Sequence, residues 1–373
     1  MKSTFGKNLT VSLFGESHGT AIGVVIDGLQ AGLRLDLDGI SHRLAQRRAV
    51  GAISTARQEP DEIQIVSGFF NGRTTGTPLC LLIANTSTRS RDYEKTKNLL
   101  RPGHADYTAF MKYQGWQDYR GGGHFSGRLT APLVAAGEIC RQILAGHGIL
   151  IGSHLAECAA IPDAYLPQDP AELLAVMRRL NDLDFAVLDA AQGEKMQQAI
   201  LNARADGDSV GGIIETAVCG MPAGIGEPFF NSLESVLAHL LFSVPAVKGV
   251  EFGAGFALAQ LRGSQANDPL RIAADGHIYT TSNNNGGING GISNGMPIIF
   301  RVAVKPTPSI YQAQQTVDFA ARENAELTIQ GRHDPAIVHR ARVVIDSVTA
   351  IGLVDLFCEA YGTNWQTSDG EEY

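Results

Sequence analysis

The chain has 373 residues, of which 44% are apolar, and this is enough to bury a large hydrophobic core. Its formal net charge of −8 excludes a general nucleic-acid-binding protein, because binding to the phosphate backbone requires a basic surface. The five cysteines form no close pair, and the N-terminus lacks the apolar core of a signal peptide. No run approaches the roughly 20 apolar residues of a membrane helix. We therefore expect a soluble cytoplasmic protein with neither nucleic-acid nor membrane partners.

The first predicted elements are two strands that form a hairpin. Residues 9–14 and 21–27 have the composition of strands, and the bend between them carries the run GESHG at 15–19. This hairpin presents His18 at its tip. A histidine flanked by small residues in a loop is more often structural than catalytic, and local sequence leaves both roles open.

A helix is predicted to begin at Asp38, because apolar residues then recur at helical spacing. Its far end is basic, with Arg47 and Arg48, which fits either an anion-binding end or a solvated basic face. Strands are predicted next at 63–67 and 78–83.

A glycine-rich stretch follows, with RPGHADYT at 101–108 and DYRGGGHFSGR at 118–128. Clustered glycines cost backbone entropy and bury no side chain, so they are expected where a ligand must approach the main chain. Thr130 is predicted to cap a helix that has Pro132 in its first turn and extends to about His147. Loop amides, arginines and a helix N-terminus would then converge on one anion. The alternative is a plain loop before a capped helix.

The second half of the chain is predicted to contain strands at 149–160, 211–220, 250–261 and 297–304, and helices at about 171–180, 193–203 and 232–242. The strand at 211–220, the turn after it and the helix at 232–242 resemble residues 19–28 and the helix from Asp38. We interpret this as an internal strand-turn-helix repeat within one fold, and we expect a single domain over residues 1–373.

Two further segments have unusual local sequence. The asparagine- and glycine-rich run at 283–295 is too flexible to hold a shape unaided, so it needs a ligand or a partner wall. GRHDP at 331–335 is predicted to open a long helix to about Tyr361, with Asp334 as its N-cap and Pro335 at the first helical position. Capping alone would explain Asp334.

Familiar phosphate-binding and metal-binding signatures are absent from the sequence. There is no Gly-x-Gly-x-x-Gly run between a strand and a helix, no Walker loop, and no Cys/His cluster suited to a metal. Six motifs instead resemble the chorismate synthase family, in the family's order and across nearly the whole chain. These motifs are GESHG at 15–19, RPGHADYT at 101–108, DYRGGGHFSGR at 118–128, NNNGGINGGISNG at 283–295, KPTPS at 305–309 and GRHDP at 331–335.

The resemblance implies an activity and a fold. Enzymes of this family convert 5-enolpyruvylshikimate 3-phosphate to chorismate, the last step of the shikimate pathway, by an anti 1,4-elimination of phosphate that requires reduced FMN without net redox change. The fold implied is α/β, with long helices sandwiched between antiparallel sheets, and the usual assembly is a homotetramer. Whether the chain also reduces its own flavin with NADPH is left open.

The resemblance also implies site residues. His18 corresponds to a histidine near the leaving phosphate, His104 to a proton donor near the flavin, and Asp334 to an aspartate that helps to remove the substrate's ring proton by way of the flavin. The arginines expected to bind the substrate anions are Arg47, Arg48, Arg128 and Arg332, with Arg101 and Arg120 behind them. The residues expected to bind FMN are His124, Phe125, Ser126, Ala246, Gly291, Lys305, Pro306, Thr307, Pro308, Ser309 and Arg332. No metal is expected.

Two departures from the family pattern bear on function. The pair His124-Phe125 replaces two polar or small residues, and the segment 49–54 lacks the second arginine of a basic loop, which Arg57 would have to supply. Two other functions therefore stay open at this point. One is a different flavin enzyme on the same scaffold, and the other is a non-catalytic FMN-binding module, which the presence of all three catalytic residues disfavours.

Overall fold

The computed structural model of the chain describes residues 3–49, 51–55, 59–86, 97–329, 331 and 333–367. The strands are β1 (Thr4–Phe5), β2 (Thr10–Gly15), β3 (Ala21–Asp27), β4 (Ile63–Ser67), β5 (Phe69–Phe70), β6 (Arg73–Thr74), β7 (Leu79–Ala84), β8 (Leu150–Cys158), β9 (Ile161–Pro162), β10 (Gly212–Cys219), β11 (Val247–Phe252), β12 (Leu270–Ile272), β13 (Ile278–Thr280), β14 (Ile288–Asn289), β15 (Ile292–Ser293), β16 (Ile298–Val304), β17 (Gln314–Asp318) and β18 (Glu323–Leu327). The α-helices are α1 (Leu37–Arg47), α2 (Asp106–Tyr113), α3 (Thr130–Gly146), α4 (Pro170–Asn181), α5 (Ala190–Ala205), α6 (Leu233–Ser243), α7 (Gly263–Ala266) and α8 (Val338–Tyr361).

The two halves of the chain have the same arrangement of strands. The first sheet has the order β1-β2-β3-β7-β4 and the second has the order β9-β8-β10-β16-β11, with antiparallel pairing throughout. In the first half, the strands β2 and β3 are followed along the chain by α1, the edge strand β4, the strand β7 and the long helix α3. In the second half, β8 and β10 are followed in the same way by α6, the edge strand β11, the strand β16 and the long helix α8. The predicted internal repeat is therefore confirmed, and it covers more of each half than the sequence indicated.

The long helices lie between the two sheets. Helix α3 packs on β3 and β7 of the first sheet, α8 packs on β8 and β10 of the second, and the two helices pack on each other. Burial alternates along β16, where Ile298, Phe300 and Val302 face the core, as expected for a strand with one buried face. One large cluster contains most of the buried apolar residues of both halves, and a smaller cluster lies around Leu173, Met177 and Leu180 of α4. The large cluster supports our proposal that the chain forms a single domain.

Buried ion pairs join the three inner helices. Asp346 of α8 pairs with Arg43 of α1 and with Arg141 of α3, whose Nη1 is 3.4 Å away, and Arg141 also pairs with Glu138. Burial lowers the pKa of Arg43 to about 9, so its guanidinium stays charged at neutral pH. Because removing one member of a buried pair leaves an uncompensated charge, these residues fix how α1, α3 and α8 sit together.

The two ends of the described chain are held together. One carboxylate oxygen of Asp355 in α8 accepts hydrogen bonds from the backbone N–H groups of residues 7–9 over 2.7–3.1 Å. The amide of Gln366 accepts from the N–H of Gln30 at 2.9 Å and donates to the carbonyl of Gly28 at 2.8 Å. The last helix and the first hairpin are thus fixed to each other by buried or half-buried hydrogen bonds.

The asparagine-rich run is held by an internal wall. The carboxylate of Asp268 accepts from the hydroxyl of Ser282 (2.6 Å) and from the backbone N–H groups of Asn284 (2.8 Å) and Asn285 (2.9 Å). A side chain of the same chain thus holds two backbone N–H groups of the run.

The predicted helix starts need correction. The N-cap of α1 is Asp36, two residues before the predicted start at Asp38, and its carboxylate accepts from the N–H of Gly39. Thr130 is the first residue of α3 rather than its cap. Helix α8 begins only at Val338, so Asp334 is not its N-cap and Pro335 precedes the first turn. The local sequence preference for a helix cap failed at Thr130 and Asp334. The hydroxyl of Thr130 hydrogen-bonds to Gly127 and Arg47, and the carboxylate of Asp334 to Thr55 and Arg340.

Two other differences concern strands. The strand expected at 250–261 is β11 only as far as Phe252, and a 3-10 helix at Gly255–Gln260 follows it. The β17–β18 hairpin and α2 were not predicted, because neither has a clear hydrophobic period. None of the described helices has the length and apolar character that crossing a bilayer would require.

His154 on β8 makes a buried ionic contact between two carboxylates. Its Nδ1 is 2.8 Å from Asp163 and its Nε2 is 3.0 Å from Glu215 of β10. Both nitrogens must donate, so the ring is protonated. Burial lowers the pKa of His154, but the hydrogen bonds to Asp163 and Glu215 outweigh burial, and the pKa is raised.

Replacing His154 with glutamine is expected to lower the free energy of unfolding by about 3 kcal/mol, because two carboxylates lose their cation. The raised pKa of His154 contributes stability that is fully present below its ordinary value of 6.5 and is lost as pH rises through the folded-state value. The difference between wild type and His154→Gln in urea unfolding should therefore shrink between pH 6 and pH 9. A difference that stays constant over this range would show that His154 is neutral.

Candidate active site

A cavity of about 560 Å³ lies where the glycine-rich loop meets the ends of α1, α3 and α8. Its volume is within the range of small-molecule sites, about 300 to 1,000 Å³. The wall also includes residues 97–101 and 244–246, α2, and the segment that follows β16. Segments distant in sequence therefore converge on one concave surface.

Most of the predicted site residues line this cavity. They are Arg47, Arg48, His104, Phe125, Ser126, Arg128, Ala246, Lys305, Thr307, Pro308 and Asp334. His18 and Ser309 lie directly behind lining residues, as described below. Arg332 and Arg57 lie outside the described residues.

Three predicted cofactor residues lie elsewhere. His124 bonds through Nδ1 to the carbonyl of Gly15 at 2.9 Å and through Nε2 to the hydroxyl of Ser3 at 3.0 Å, so it fastens the glycine-rich loop to the first hairpin. Gly291 lies at the start of α6, where its carbonyl accepts from the N–H of Leu233. Pro306 packs against Gly211 rather than lining the cavity. The resemblance alone supports a cofactor role for these three residues.

Arginines of α1 and of the loop before α3 meet at one buried carboxylate. Asp61 pairs with Arg47, whose Nη2 is 3.0 Å from Oδ2, and with Arg128, whose Nη1 contacts Oδ1. Burial raises the pKa of Asp61, but the two arginines outweigh burial, and the pKa is lowered. Burial lowers the pKa of Arg47, an effect that Asp61 opposes. The cavity wall therefore carries fixed charges.

Several of the arginines retain unused hydrogen-bond donors. The buried Nε atoms of Arg47, Arg48 and Arg340 make no hydrogen bond to the described part of the chain, and all three arginines line the cavity. Leaving a buried donor unpaired costs about 1 to 3 kcal/mol, more for charged groups. Arginines are well suited to bind an anion, so three of them on one cavity wall favour an anionic ligand.

The N-terminus of α3 reaches the same wall. Gly127, Arg128 and Thr130 line the cavity, and the positive end of a 17-residue helix favours an anion there. The hydroxyl of Thr130 donates to the carbonyl of Gly127 (2.7 Å) and accepts from Arg47 Nη1 (3.1 Å). The predicted convergence of helix end, glycines and arginines is present, although Thr130 positions an arginine instead of capping the helix.

The triple glycine brings His18 under the cavity wall. Gly121 has φ of +60°, and a Cβ there would lie 2.1 Å from His18 Cε1, so only glycine lets the loop cover the ring. The Ser17 hydroxyl donates to the carbonyl of Gly121 (3.1 Å) and lies 3.1 Å from His18 Nδ1. Ser17 therefore holds the imidazole of His18 from its Nδ1 side.

The motifs RPGHADYT and KPTPS pack against each other. Gly103 has φ of +72°, and a Cβ there would come within 2.8 Å of Pro308. The Lys305 ammonium donates to the carbonyl of Gly103 at 2.7 Å, and the backbone N–H of Lys305 donates to the carbonyl of Ala246. His104 Nε2 lies 2.7 Å from the Ser309 hydroxyl. One wall of the cavity thus unites most of the predicted cofactor residues.

His104 is neutral in this wall. Burial and the positive charge of Arg101 lower its pKa to about 4. A neutral imidazole carries one N–H, so His104 can donate one hydrogen bond without adding positive charge. Arg101 itself makes a bidentate pair with Asp106, over 2.7 and 2.8 Å.

Asp334 faces the cavity from the segment before α8. Its Oδ1 accepts from the backbone N–H of Thr55 at 2.8 Å, and its Oδ2 is 2.5 Å from Arg340 Nη2. These contacts replace the capping role that local sequence predicted. Asp334 is the only one of the three predicted catalytic residues that carries a negative charge.

Apolar and aromatic side chains complete the lining. Phe110 and Phe319 contact each other with ring centroids 4.4 Å apart, and Phe125 meets Tyr113 edge-on at 6.0 Å. Phe110, Phe125 and Phe319 line the cavity together with Ile337 and aliphatic residues of α8. A planar aromatic ligand could pack on this surface while its polar groups reach the charged wall.

The lining residues fit a flavin mononucleotide. Two buried side-chain atoms besides the arginines, Thr307 Oγ1 and Gln117 Oε1, make no hydrogen bond to the described part of the chain. One is a potential donor and acceptor and the other an acceptor, which suits the alternating edge of a flavin ring. Among the described residues, no group of three or more His, Cys, Asp or Glu side chains is arranged to hold a metal ion.

Sequence reasoning missed several lining residues, including Asp61, Phe110, Gln117, Phe319 and Arg340. Arg340 lies six residues after Asp334, and helical continuation toward the same cavity could have indicated it. Asp61, Gln117 and the phenylalanines stand in no motif that we singled out.

Comparison with known proteins gives a consistent result. The family model described as chorismate synthase matches residues 9–358. A chorismate synthase of Dehalococcoides mccartyi is 48% identical over 361 residues, covering 96% of this chain and 98% of the relative. A chorismate synthase of Pyrococcus abyssi is 45% identical over 350 residues, covering 94% and 96%. A crystal structure of chorismate synthase superimposes with a TM-score of 0.75 at 29% identity and covers 96% of this chain and 94% of that one.

Proposed function

The chain belongs to the chorismate synthase family, and on that premise we propose that it converts 5-enolpyruvylshikimate 3-phosphate to chorismate by an anti 1,4-elimination of phosphate that requires reduced FMN. This reaction closes the shikimate pathway and makes the chain a carbon-oxygen lyase. The observation that carries the proposal is the cavity itself, which is lined by three arginines (Arg47, Arg48 and Arg340) and by three phenylalanines (Phe110, Phe125 and Phe319). A substrate with three anionic groups and a flavin require those two surfaces side by side.

The arginines would bind the substrate. The ester carries a phosphate and two carboxylates, and guanidinium forks match such groups in a bidentate manner. Arg47, Arg48 and Arg128 are our proposed substrate residues among those described, and Arg332 joins them by resemblance. The N-terminus of α3 adds a fixed positive potential beside Arg128.

His18 would act on the leaving phosphate. Ser17 holds the ring from its Nδ1 side, so the imidazole would be positioned to stabilise or protonate the departing oxygen. Asp334 would accept the proton that leaves the substrate ring, because it is the carboxylate that faces the cavity from the α8 side. The pair with Arg340 holds this carboxylate in place.

The flavin would lie against Phe125, Ser126, Ala246, Lys305, Thr307 and Pro308, with His104 donating one hydrogen bond to it. When bound and reduced, it supplies electron density to the breaking C–O bond and recovers it within the same turnover. Because His104 is neutral, it would not withdraw electron density as an imidazolium would. His124, Gly291, Pro306 and Ser309 remain proposed cofactor residues on the resemblance alone.

We also propose a cytoplasmic homotetramer. Exposed apolar side chains such as Phe229, Phe230 and Phe256 support burial against other subunits. Reduction of the bound flavin by NADPH is a further possibility of the family that a direct assay would decide.

Phosphate release from the ester is expected only with reduced FMN, and many turnovers should follow one loading of flavin. The measurement is an anaerobic assay of phosphate and chorismate with reduced FMN, oxidised FMN or no flavin. Oxidised FMN is the matched control, because it occupies the site without the electron density. Turnover by flavin-free protein, or one product per flavin consumed, would contradict the proposal.

A further inference from the structure

Asp61 joins two arginines of the cavity through its two oxygens. Oδ2 accepts from Arg47 Nη2 at 3.0 Å, and Oδ1 accepts from Arg128 Nη1. Its side chain is 0% exposed, so no solvent competes for either oxygen. A single carboxylate therefore determines the positions of two guanidinium groups that come from different parts of the chain.

The backbone at Asp61 is held in a conformation that few residues adopt. Its φ of +52° lies in the left-handed region, where aspartate and asparagine are tolerated better than most side chains. Such conformations persist where surrounding contacts determine them, and they cluster at ligand-binding sites. Here the conformation turns the carboxylate inward just before β4, toward the arginines.

Each arginine has a second anchor. Arg47 Nη1 donates to the Thr130 hydroxyl at 3.1 Å, and Arg128 Nε donates to Asn85 Oδ1 at 3.1 Å. With Asp61 as the shared partner, both guanidinium groups are fixed at two points. Arg47 Nε still makes no hydrogen bond to the described residues. Arg47, Arg128 and Asp61 together have a net charge of +1 at the cavity wall.

Three other acidic residues of the cavity are arranged differently. Asp106 pairs with Arg101, Asp118 with Arg120 and Asp334 with Arg340. Each of these ion pairs contains one arginine. Among the ion pairs of the described lining residues, the one at Asp61 differs because its carboxylate is shared by two arginines.

We propose that Asp61 is a positioning residue that fixes the guanidinium groups of Arg47 and Arg128 as one binding site for a single anionic group of the substrate. This inference rests on the proposed function, because it takes the phosphate ester as the ligand. Both carboxylate oxygens of Asp61 are already engaged by the two arginines. Asp61 acts through the two arginines, so its loss should impair substrate binding more than the chemical step.

The test is Asp61→Asn, since asparagine has the same shape and tolerates the same φ. The oxygen of its amide can accept a hydrogen bond from one arginine, but its NH₂ group faces the other. The two guanidinium groups would then no longer be held by one shared carboxylate. We expect KM and the calorimetric Kd for the ester to rise about ten- to a hundred-fold, and kcat to fall much less. Asp61→Glu should also raise KM, because the longer side chain keeps the negative charge but displaces the guanidinium groups of both arginines.

Two controls separate positioning from loss of stability and from net charge. Asp163→Asn removes another buried carboxylate, one that contacts His154 outside the cavity, and should leave KM at the wild-type value. In an Arg47→Met background, the added Asp61→Asn change should raise KM less than it does in the wild type, because the two residues act as one unit.

The outcomes distinguish this inference from the proposed function. Failure of the wild type to bind and turn over the ester would contradict the function and the inference with it. A wild type that turns over the ester, beside folded Asp61→Asn protein with unchanged KM and Kd, would overturn the inference alone. Wild-type behaviour of Asp61→Glu would do so as well, since only the charge would then matter.

Discussion

Replacing His18 with alanine is expected to slow the elimination step by about 10² to 10⁴-fold, the usual contribution of a general acid or base. The reason is that Ser17 holds Nδ1 and the glycine-rich loop covers the ring, so the imidazole is fixed in a single orientation under the cavity wall. The measurement is single-turnover decay of the ester with prebound reduced FMN. Binding of the ester should change far less than the rate.

The matched control for His18→Ala is His147→Ala. His147 packs its ring on Trp365, with centroids 4.1 Å apart, and lies at the end of α3 away from the cavity. Its loss should cost some stability while leaving the single-turnover rate at the wild-type value. An unchanged rate in folded His18→Ala protein would give His18 a structural role only.

Asp334→Asn is expected to lower the same single-turnover rate by about 10²-fold or more, because an amide cannot take up a proton at neutral pH. Asparagine can still accept the hydrogen bond from the N–H of Thr55, but the ionic contact with Arg340 is lost. The free energy of unfolding should therefore fall by about 1 to 3 kcal/mol. Helix α8 should persist, since Asp334 does not cap it.

A second carboxylate variant separates the lost proton acceptor from lost stability. Asp163→Asn also breaks a buried ionic contact, the one with His154, and lies outside the cavity. Its stability should fall while its rate stays normal. If the two variants have equal rates, Asp334 serves only to hold Arg340 and Thr55, and the proton must leave by another route.

The regular elements could be predicted because their burial repeats along the chain. The strands β3 and β4 were predicted with the observed bounds, and α3 and α6 to within one residue at each end. Helix α8 was located by its apolar length and by its end near Tyr361, although its start was placed three residues too early. The spacing of apolar residues along a helix or strand depends only on residues close together in the chain. It can therefore be recognised in a single sequence.

The contacts that long-range folding creates could not be predicted. Nothing beside Asp61 indicates that arginines 14 residues before it and 67 residues after it will share its carboxylate. Thr130 and Asp334 have the local sequence of helix caps, yet each bonds to a group from another segment. His124 belongs to a motif of the family but is used here to fasten a loop. Four of the six motifs contribute residues to the cavity lining, whereas GESHG at 15–19 and the run at 283–295 do not. The structure was needed to find the contacts within each motif.

The position of α8 at the end of the chain has a consequence for synthesis on the ribosome. Helix α3 needs α8 as its packing partner, and the first hairpin needs Asp355, yet both become available only when the last part of the chain emerges. At about 5 to 20 residues per second, the completed first half waits about 10 to 40 s with its inner helix face uncovered. The inner face of α3 therefore stays uncovered until α8 has emerged, and truncation before α8 should yield aggregates rather than a smaller folded unit.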